Sequence, residues 1–106
     1  MWQVTGHDLK ITEGDYGLQL PVTISGTTFT ENDAVVFILK DKLNGSQILS
    51  KTFTNIVKNT VNLELTETES ALLPVGTYAY SLDWYQDGAF MCNIIPCAAF
   101  KVGEKV

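Results

Sequence analysis

The fold is decided by the segment LLPVGTYAYSLDW, residues 72–84. From Gly76 onward large and small side chains alternate, and the large ones are Tyr78, Tyr80, Leu82 and Trp84. Successive side chains of a β-strand point to opposite faces, so this spacing predicts one strand with four large side chains on its buried face. Their common phase makes these residues the spine of the core instead of a ligand platform.

Alternating apolar residues predict further strands on both sides of this segment. A first strand covers residues 7–12, with Leu9 and Ile11 inward. Pro21 cannot donate to a strand ladder, which favours an edge strand or a bulge there. Two more segments have an apolar face: Tyr16, Leu18, Leu20, Val22 and Ile24 in one, and Val61, Leu63 and Leu65 in the other.

Turn residues separate these strands. Glu13-Gly14-Asp15 predicts a tight turn, and Asn44-Gly45 and Asp87-Gly88 predict two hairpins. Thr66 followed by Glu69 is typical of a capping box, so we predict one or two helical turns ending near Leu72.

The segment after Asp87-Gly88 predicts two closing strands. The first, Ala89–Ile95, has Phe90, Cys92 and Ile94 on one face, and Pro96 ends it. The second, Ala98–Val102, completes the fold. With 106 residues in all, the pattern predicts a single all-β domain, an antiparallel β-sandwich of about eight strands with one short helical turn.

The unbroken apolar run Val35–Leu39 predicts a strand with both faces covered. One face fills the core, and the other is covered either by loops or by a partner chain. The residues expected at a protein interface are Val35, Phe37, Leu39 and Tyr85.

Composition excludes several classes of function. The net charge is −5 and all seven basic residues are lysines, which argues against nucleic-acid binding because that depends on arginine and basic stripes. No apolar run approaches the roughly 20 residues of a membrane span. The start of the sequence lacks the blocks of a cleaved signal peptide, so we expect a protein that is made and kept in the cytoplasm or is exported without a cleaved signal.

Few residues favour catalysis or metal binding. His7 is the only histidine and no G-x-S-x-G segment accompanies it. Cys92 and Cys97 are expected to be buried free thiols, and together with His7 they are too few for a structural zinc site. The acidic residues lack calcium-loop spacing. We therefore predict a non-enzymatic protein without metal or cofactor.

Tyr85 lies on the opposite face from Trp84, just before the Asp87-Gly88 turn, and is a candidate to contact a ligand, as are Phe53 and Trp2. Aromatic side chains anchor protein interfaces, and they also form platforms for sugars. We favour the protein interface. The alternative is a small carbohydrate- or ligand-binding β-sandwich.

Two stretches carry a family resemblance. Residues 11–17 read I-x-x-G-D-x-G, and residues 72–82 pair a Pro74-x-Gly76 turn with alternating Tyr78, Tyr80 and Leu82. The turn resembles the corner before a late strand of Ig-like sandwiches. Together the stretches resemble small phage and prophage tail-associated β-sandwich modules, including the N-terminal domain of upper baseplate proteins. The resemblance implies a virion structural protein, made in the bacterial cytoplasm, that contacts copies of itself or other virion proteins, and it transfers no catalytic residue.

Overall fold

The alternating segments of the sequence form the strands of the fold, as the computed structural model of the protein shows for residues 2–42 and 45–105. The elements in those ranges are β1 Gln3–Thr5, β2 Asp8–Thr12, β3 Leu20–Thr23, β4 Asp33–Lys40, β5 Gln47–Thr54, β6 Thr60–Leu63, α1 Glu67–Ser70, β7 Gly76–Gln86 and β8 Ala89–Gly103.

Two sheets enclose the core. The larger has the order β1-β2-β8-β7-β4-β5, and β3 pairs with β6 in the smaller. One continuous cluster of buried side chains joins them, with Phe37 and Leu82 from the large sheet and Val61 and Leu63 from the small one. The predicted all-β, sandwich-like fold is confirmed. It differs in one respect: β2 and β8 are parallel, so the large sheet is mixed.

β7 is the spine that the sequence predicts. Tyr80 and Leu82 are 4% and 1% exposed, and Tyr78 and Trp84 are half-buried against the same core. The ring of Tyr80 lies 5.5 Å from that of Phe37, centroid to centroid. β7 pairs with β8 on one side and β4 on the other, so it occupies an interior position in the large sheet.

The predicted turns have the required backbone geometry. Asp87 and Gly88 both have positive φ angles, 51° and 80°, as a two-residue hairpin of the favoured type requires. Thr66 and Glu69 form the reciprocal hydrogen bonds of a capping box at the start of α1. The other hairpin turn was predicted at Asn44-Gly45, and Asn44 lies outside the described residues. The strands on either side of it, β4 and β5, are antiparallel.

The alternation predicted from Tyr16 to Ile24 is wrong in its first half. β3 begins only at Leu20, and Tyr16 and Leu18 are 52% and 47% exposed. Gly17 has a φ of 76°, which interrupts an extended chain, and its N–H donates to the Leu65 carbonyl at 2.9 Å. Pro21 lies in an edge strand, as predicted.

β8 runs through Pro96, so the predicted break there is wrong. The register between β7 and β8 shifts at three places, and each shift adds one residue to β8. At one of them Pro96 and Cys97 lie opposite Ser81 alone, a bulge that tolerates the missing proline N–H. At another, Phe90 lies opposite Tyr85 while Cys92 lies opposite Trp84, so Phe90 and Cys92 do not share a face.

Candidate protein-interaction surface

Three of the four residues predicted at an interface are in the core. Val35, Phe37 and Leu39 are 0%, 1% and 0% exposed, so the prediction that they contact a partner is wrong. They lie opposite Trp84, Leu82 and Tyr80 of β7. Neighbouring strands share faces, so the phase of β7 also sets which half of the run Val35–Leu39 turns inward.

The alternate residues of β4, whose side chains point away from the core, form one side of a second surface. Ala34, Val36 and Ile38 are half-buried on the side of the large sheet away from the core. The small sheet lies on the core side, and α1 also lies there because Glu69 pairs with Lys51, which is opposite Phe37. In the described parts of the chain no second layer covers this side. We call it the outer face, consisting of Ala34, Val36, Ile38, Asp83, Tyr85 and Phe90.

Tyr85 and Phe90 form the aromatic part of the outer face. Their ring centroids are 5.6 Å apart and their planes meet at 74°, an edge-to-face pair. Tyr85 is half-buried and Phe90 is 53% exposed. The sequence identified Tyr85 but missed Phe90, because the bulge that places them opposite one another has no signal in the residue pattern.

One polar pair lies inside this otherwise apolar surface. Asp83 is 7% exposed, and the side-chain amide of Asn93 donates to its Oδ1 at 2.6 Å. Asp83 lies opposite Val36 on β4 and opposite Asn93 on β8. A buried carboxylate without a hydrogen bond is costly, so the bond from Asn93 stabilises Asp83 in this position.

A shallow groove of about 130 Å³ borders the outer face beside the Pro96 bulge. Ile38, Ala79, Ser81 and Cys97 contribute to its walls. Cys97 and Cys92 are free and exposed, so the prediction of free thiols is confirmed and the prediction that they are buried is wrong. Cys97 lies in the bulge opposite Ser81, out of phase with the core residues, whereas Cys92 lies opposite Trp84 and is exposed all the same.

Trp84 takes no part in the outer face. Its indole N–H donates to Asp33 Oδ1 at 2.8 Å, and its ring packs edge-to-face on Phe29 with centroids 5.8 Å apart. The pKa of Asp33 is lowered, first by the Thr30 backbone N–H and then by the Trp84 indole. The tryptophan is thus a core residue with a satisfied polar atom, as predicted.

A second, apolar groove of about 180 Å³ lies between β3 and the opposite sheet. Leu20 and Val22 form one wall, and Val4, Leu82 and Ile95 contribute to the other. His7 lies at this groove and is exposed, and its backbone carbonyl accepts the hydroxyl of Tyr80. Burial raises the pKa of Tyr80 to about 12.

Across residues 2–42 and 45–105, no three His, Cys, Asp or Glu side chains lie together in a way that could hold a metal ion. Within those ranges, no helix has the length and apolar character to cross a membrane. No protein-family model, curated protein or solved structure matches the chain.

Proposed function

We propose that this protein is a non-enzymatic assembly protein that binds other proteins through its outer face, as a structural component of a phage or prophage particle of the tail or baseplate type. The observation that supports this most is the uncovered outer face, on which Ala34, Val36 and Ile38 of β4 lie on the same side of the sheet as the Tyr85–Phe90 pair. The phage setting rests on the resemblance carried by residues 11–17 and 72–82.

The composition of the outer face supports a protein partner. A sheet face exposed to water normally carries polar side chains. On this one, Val36, Ile38 and the Tyr85–Phe90 pair form an apolar patch that is bordered by the polar side chains of β5. Interfaces are enriched in aromatic residues and depleted of charged ones in their core. Asp83 is the one charged side chain among the six residues, and it is already hydrogen-bonded to Asn93.

The test uses the exposed aromatic residue of the surface. The protein is co-expressed with the products of its neighbouring genes, and stable complexes are isolated by affinity and size-exclusion chromatography. Phe90→Ser is expected to abolish a stoichiometric complex that the unchanged protein forms. Val57→Ser is the matched control, because Val57 is 70% exposed and lies away from the outer face.

Two results would overturn the proposal. One is a complex that survives Phe90→Ser and Tyr85→Ser at unchanged affinity. The other is the absence of any complex together with a glycan-array signal that depends on Tyr85, which would establish the carbohydrate-binding alternative instead. Thermal melting of each variant confirms that loss of binding does not reflect unfolding.

A further inference from the structure

The free edge of β5 differs from the other free edges of the described fold. β1 has three residues, and β3 and β6 have four each, whereas β5 has eight, Gln47–Thr54, without proline or glycine. Short strands and edge prolines protect sheets against pairing with other chains. β5 has neither protection, and Lys51 is its single charged residue.

β3 shows the contrast most clearly. The Ile24 N–H donates to the Asn59 carbonyl at 2.8 Å, which fixes the alternation in the β3–β6 pair. Backbone groups of Leu20 and Val22 therefore face β6, and those of Pro21 face the free edge. The proline thus removes a donor at the point where a further strand would need one.

The backbone groups that β5 directs outward follow from the register of β4. The Asp87 N–H donates to the Asn32 carbonyl at 3.0 Å. The backbone N–H and C=O groups of every second residue of β4, starting at Ala34, therefore point toward β7. The backbone groups of the other β4 residues, including Phe37, point toward β5, and Phe37 lies opposite Lys51. The Asp41 N–H, donating to Ser46 at 3.0 Å, continues the same alternation.

It follows that Ser50, Thr52 and Thr54 direct their N–H and C=O groups away from β4. Their side chains are exposed and lie on the side of the sheet that carries the outer face. In the part of the chain that the structure describes, no strand pairs with this edge.

We propose that β5 pairs antiparallel with β5 of a second copy of this chain, about a two-fold axis at Thr52. Thr52 then lies opposite Thr52 of the second copy, and Ser50 lies opposite Thr54 at both ends. All three are hydrogen-bonded pairs with two bonds each, about six in total. The two large sheets join into one, and the two outer faces become continuous.

The charge of Lys51 and the irregularity in the β4–β5 pair together favour this register. An axis at Thr52 sets Lys51 opposite Phe53 of the second copy, whereas an axis at Lys51 would set two lysines opposite each other, which is destabilising. The irregularity in the β4–β5 pair lies between Leu39 and Lys40, beyond the Ser50–Thr54 segment, so the paired segment is regular. Because a two-fold pairing uses the free β5 edge of both copies, no β5 edge is left for a third copy, and the assembly is a dimer.

The first experiment removes one outward N–H group. Thr52→Pro deletes a donor that faces away from β4, and Thr52→Val is the matched control because it retains the N–H. Sedimentation velocity from 5 µM to 1 mM is expected to show a concentration-dependent dimer for the unchanged chain and for Thr52→Val. Thr52→Pro is expected to weaken dimerisation at least about 100-fold. A strictly monomeric unchanged chain at 1 mM, or an equally dimeric Thr52→Pro variant, overturns the inference.

The second experiment tests the register and does not depend on the folding of the proline variant. In a Cys92→Ser, Cys97→Ser background, Thr52→Cys is expected to form a covalent dimer on mild oxidation, because opposed residues lie within disulfide reach. Ser50→Cys is expected to form no covalent dimer, since its counterpart is Thr54. Equal cross-linking of both variants, or none with Thr52→Cys, rejects the register.

This inference deepens the proposed assembly function by naming a second copy as one partner. The two proposals fail separately. Phe90 lies on β8 and Thr52 on β5. Phe90→Ser is therefore expected to leave the β5 dimer intact. A chain that fails the β5 experiments can still bind another protein through its outer face.

Discussion

The hydroxyl of Tyr80 links the stability of this fold to pH above 10. Tyr80 is 4% exposed and donates its phenol hydrogen to the backbone carbonyl of His7, which joins β7 to the start of β2. Burial, followed by the nearby Asp8 carboxylate, raises the pKa of Tyr80 from 10.0 to about 12. The folded state therefore holds this proton at pH values where the unfolded chain releases it.

The sign and size of the effect follow from that shift. A folded pKa above the unfolded value contributes stability that is complete below pH 10 and is lost as the pH rises through 12. At pH 11 the ionised form of the Tyr80 phenol outnumbers the neutral form about tenfold in the unfolded chain, whereas in the folded protein the phenol is mostly neutral. This difference lowers the free energy of unfolding by about 1.4 kcal/mol. The full loss above pH 12 is about 2.7 kcal/mol.

Tyr80→Phe removes both the hydrogen bond and the titration. At pH 8 the variant is expected to be less stable than the unchanged protein by about 1 kcal/mol, the typical value of one intramolecular hydrogen bond. At pH 11 this difference is expected to vanish or reverse, because ionisation of the Tyr80 phenol stabilises the unfolded state of the unchanged protein and not that of the variant.

The measurement is urea unfolding followed by tryptophan fluorescence at pH 8, 9, 10 and 11. Tyr16→Phe is the matched control, since it removes a phenol from a ring that is 52% exposed. Titration of phenolate absorbance should show one fewer high-pKa group in Tyr80→Phe. Parallel stability curves for the unchanged chain and Tyr80→Phe between pH 8 and 11 would refute the reasoning.

Two further predictions concern the core and the helix. Phe37→Ala removes a ring that is 1% exposed and contacts both Tyr80 and Phe100. We therefore expect urea titration to show a loss of about 3–5 kcal/mol in the free energy of unfolding, and a loss below about 1 kcal/mol would contradict the central position of Phe37. Thr66→Ala removes the hydroxyl that accepts the Glu69 N–H at 3.1 Å, so we expect a loss of about 1 kcal/mol with an unchanged denaturant slope, whereas Thr66→Ser should be nearly neutral.

The sequence predicted those features that depend on a local pattern. Tyr80 and Leu82 are in the core because a strand with strict alternation has only one apolar face. Asp87-Gly88 forms its hairpin because these residue types tolerate positive φ angles, and Thr66 caps α1 through a contact three residues away. Each of these outcomes is decided within a few residues, so the pattern was sufficient.

The failures concern phase and pairing, which depend on distant strands. In the apolar run Val35–Leu39 either half can face inward, and the choice is made by β7 across the sheet. Cys92 and Phe90 were assigned to one face because the bulge between them cannot be read from an apolar segment. Tyr16 was placed in a strand because the pattern did not include the positive φ of Gly17.

The faces of the strands at the candidate surface were predicted in part. The sequence indicated that one face of the Val35–Leu39 run fills the core and the other does not, and it placed Tyr85 on the face of β7 that Trp84 does not occupy. Selecting Val36 instead of Phe37 required the register of β4 against β7.

The parallel pairing of β2 with β8 determines when folding can be completed. Asp8 accepts a hydrogen bond from the Ala99 N–H, 91 residues further along the chain, and Leu9 lies opposite Phe100. During synthesis at about 5–20 residues per second, β2 therefore waits on the order of 5–20 s before its partner has been made. Contacts this distant slow folding because a long loop must close before the pairing is gained. Leu9 and Ile11, which are 5% and 3% exposed in the folded protein, thus lack their β8 neighbours during that interval.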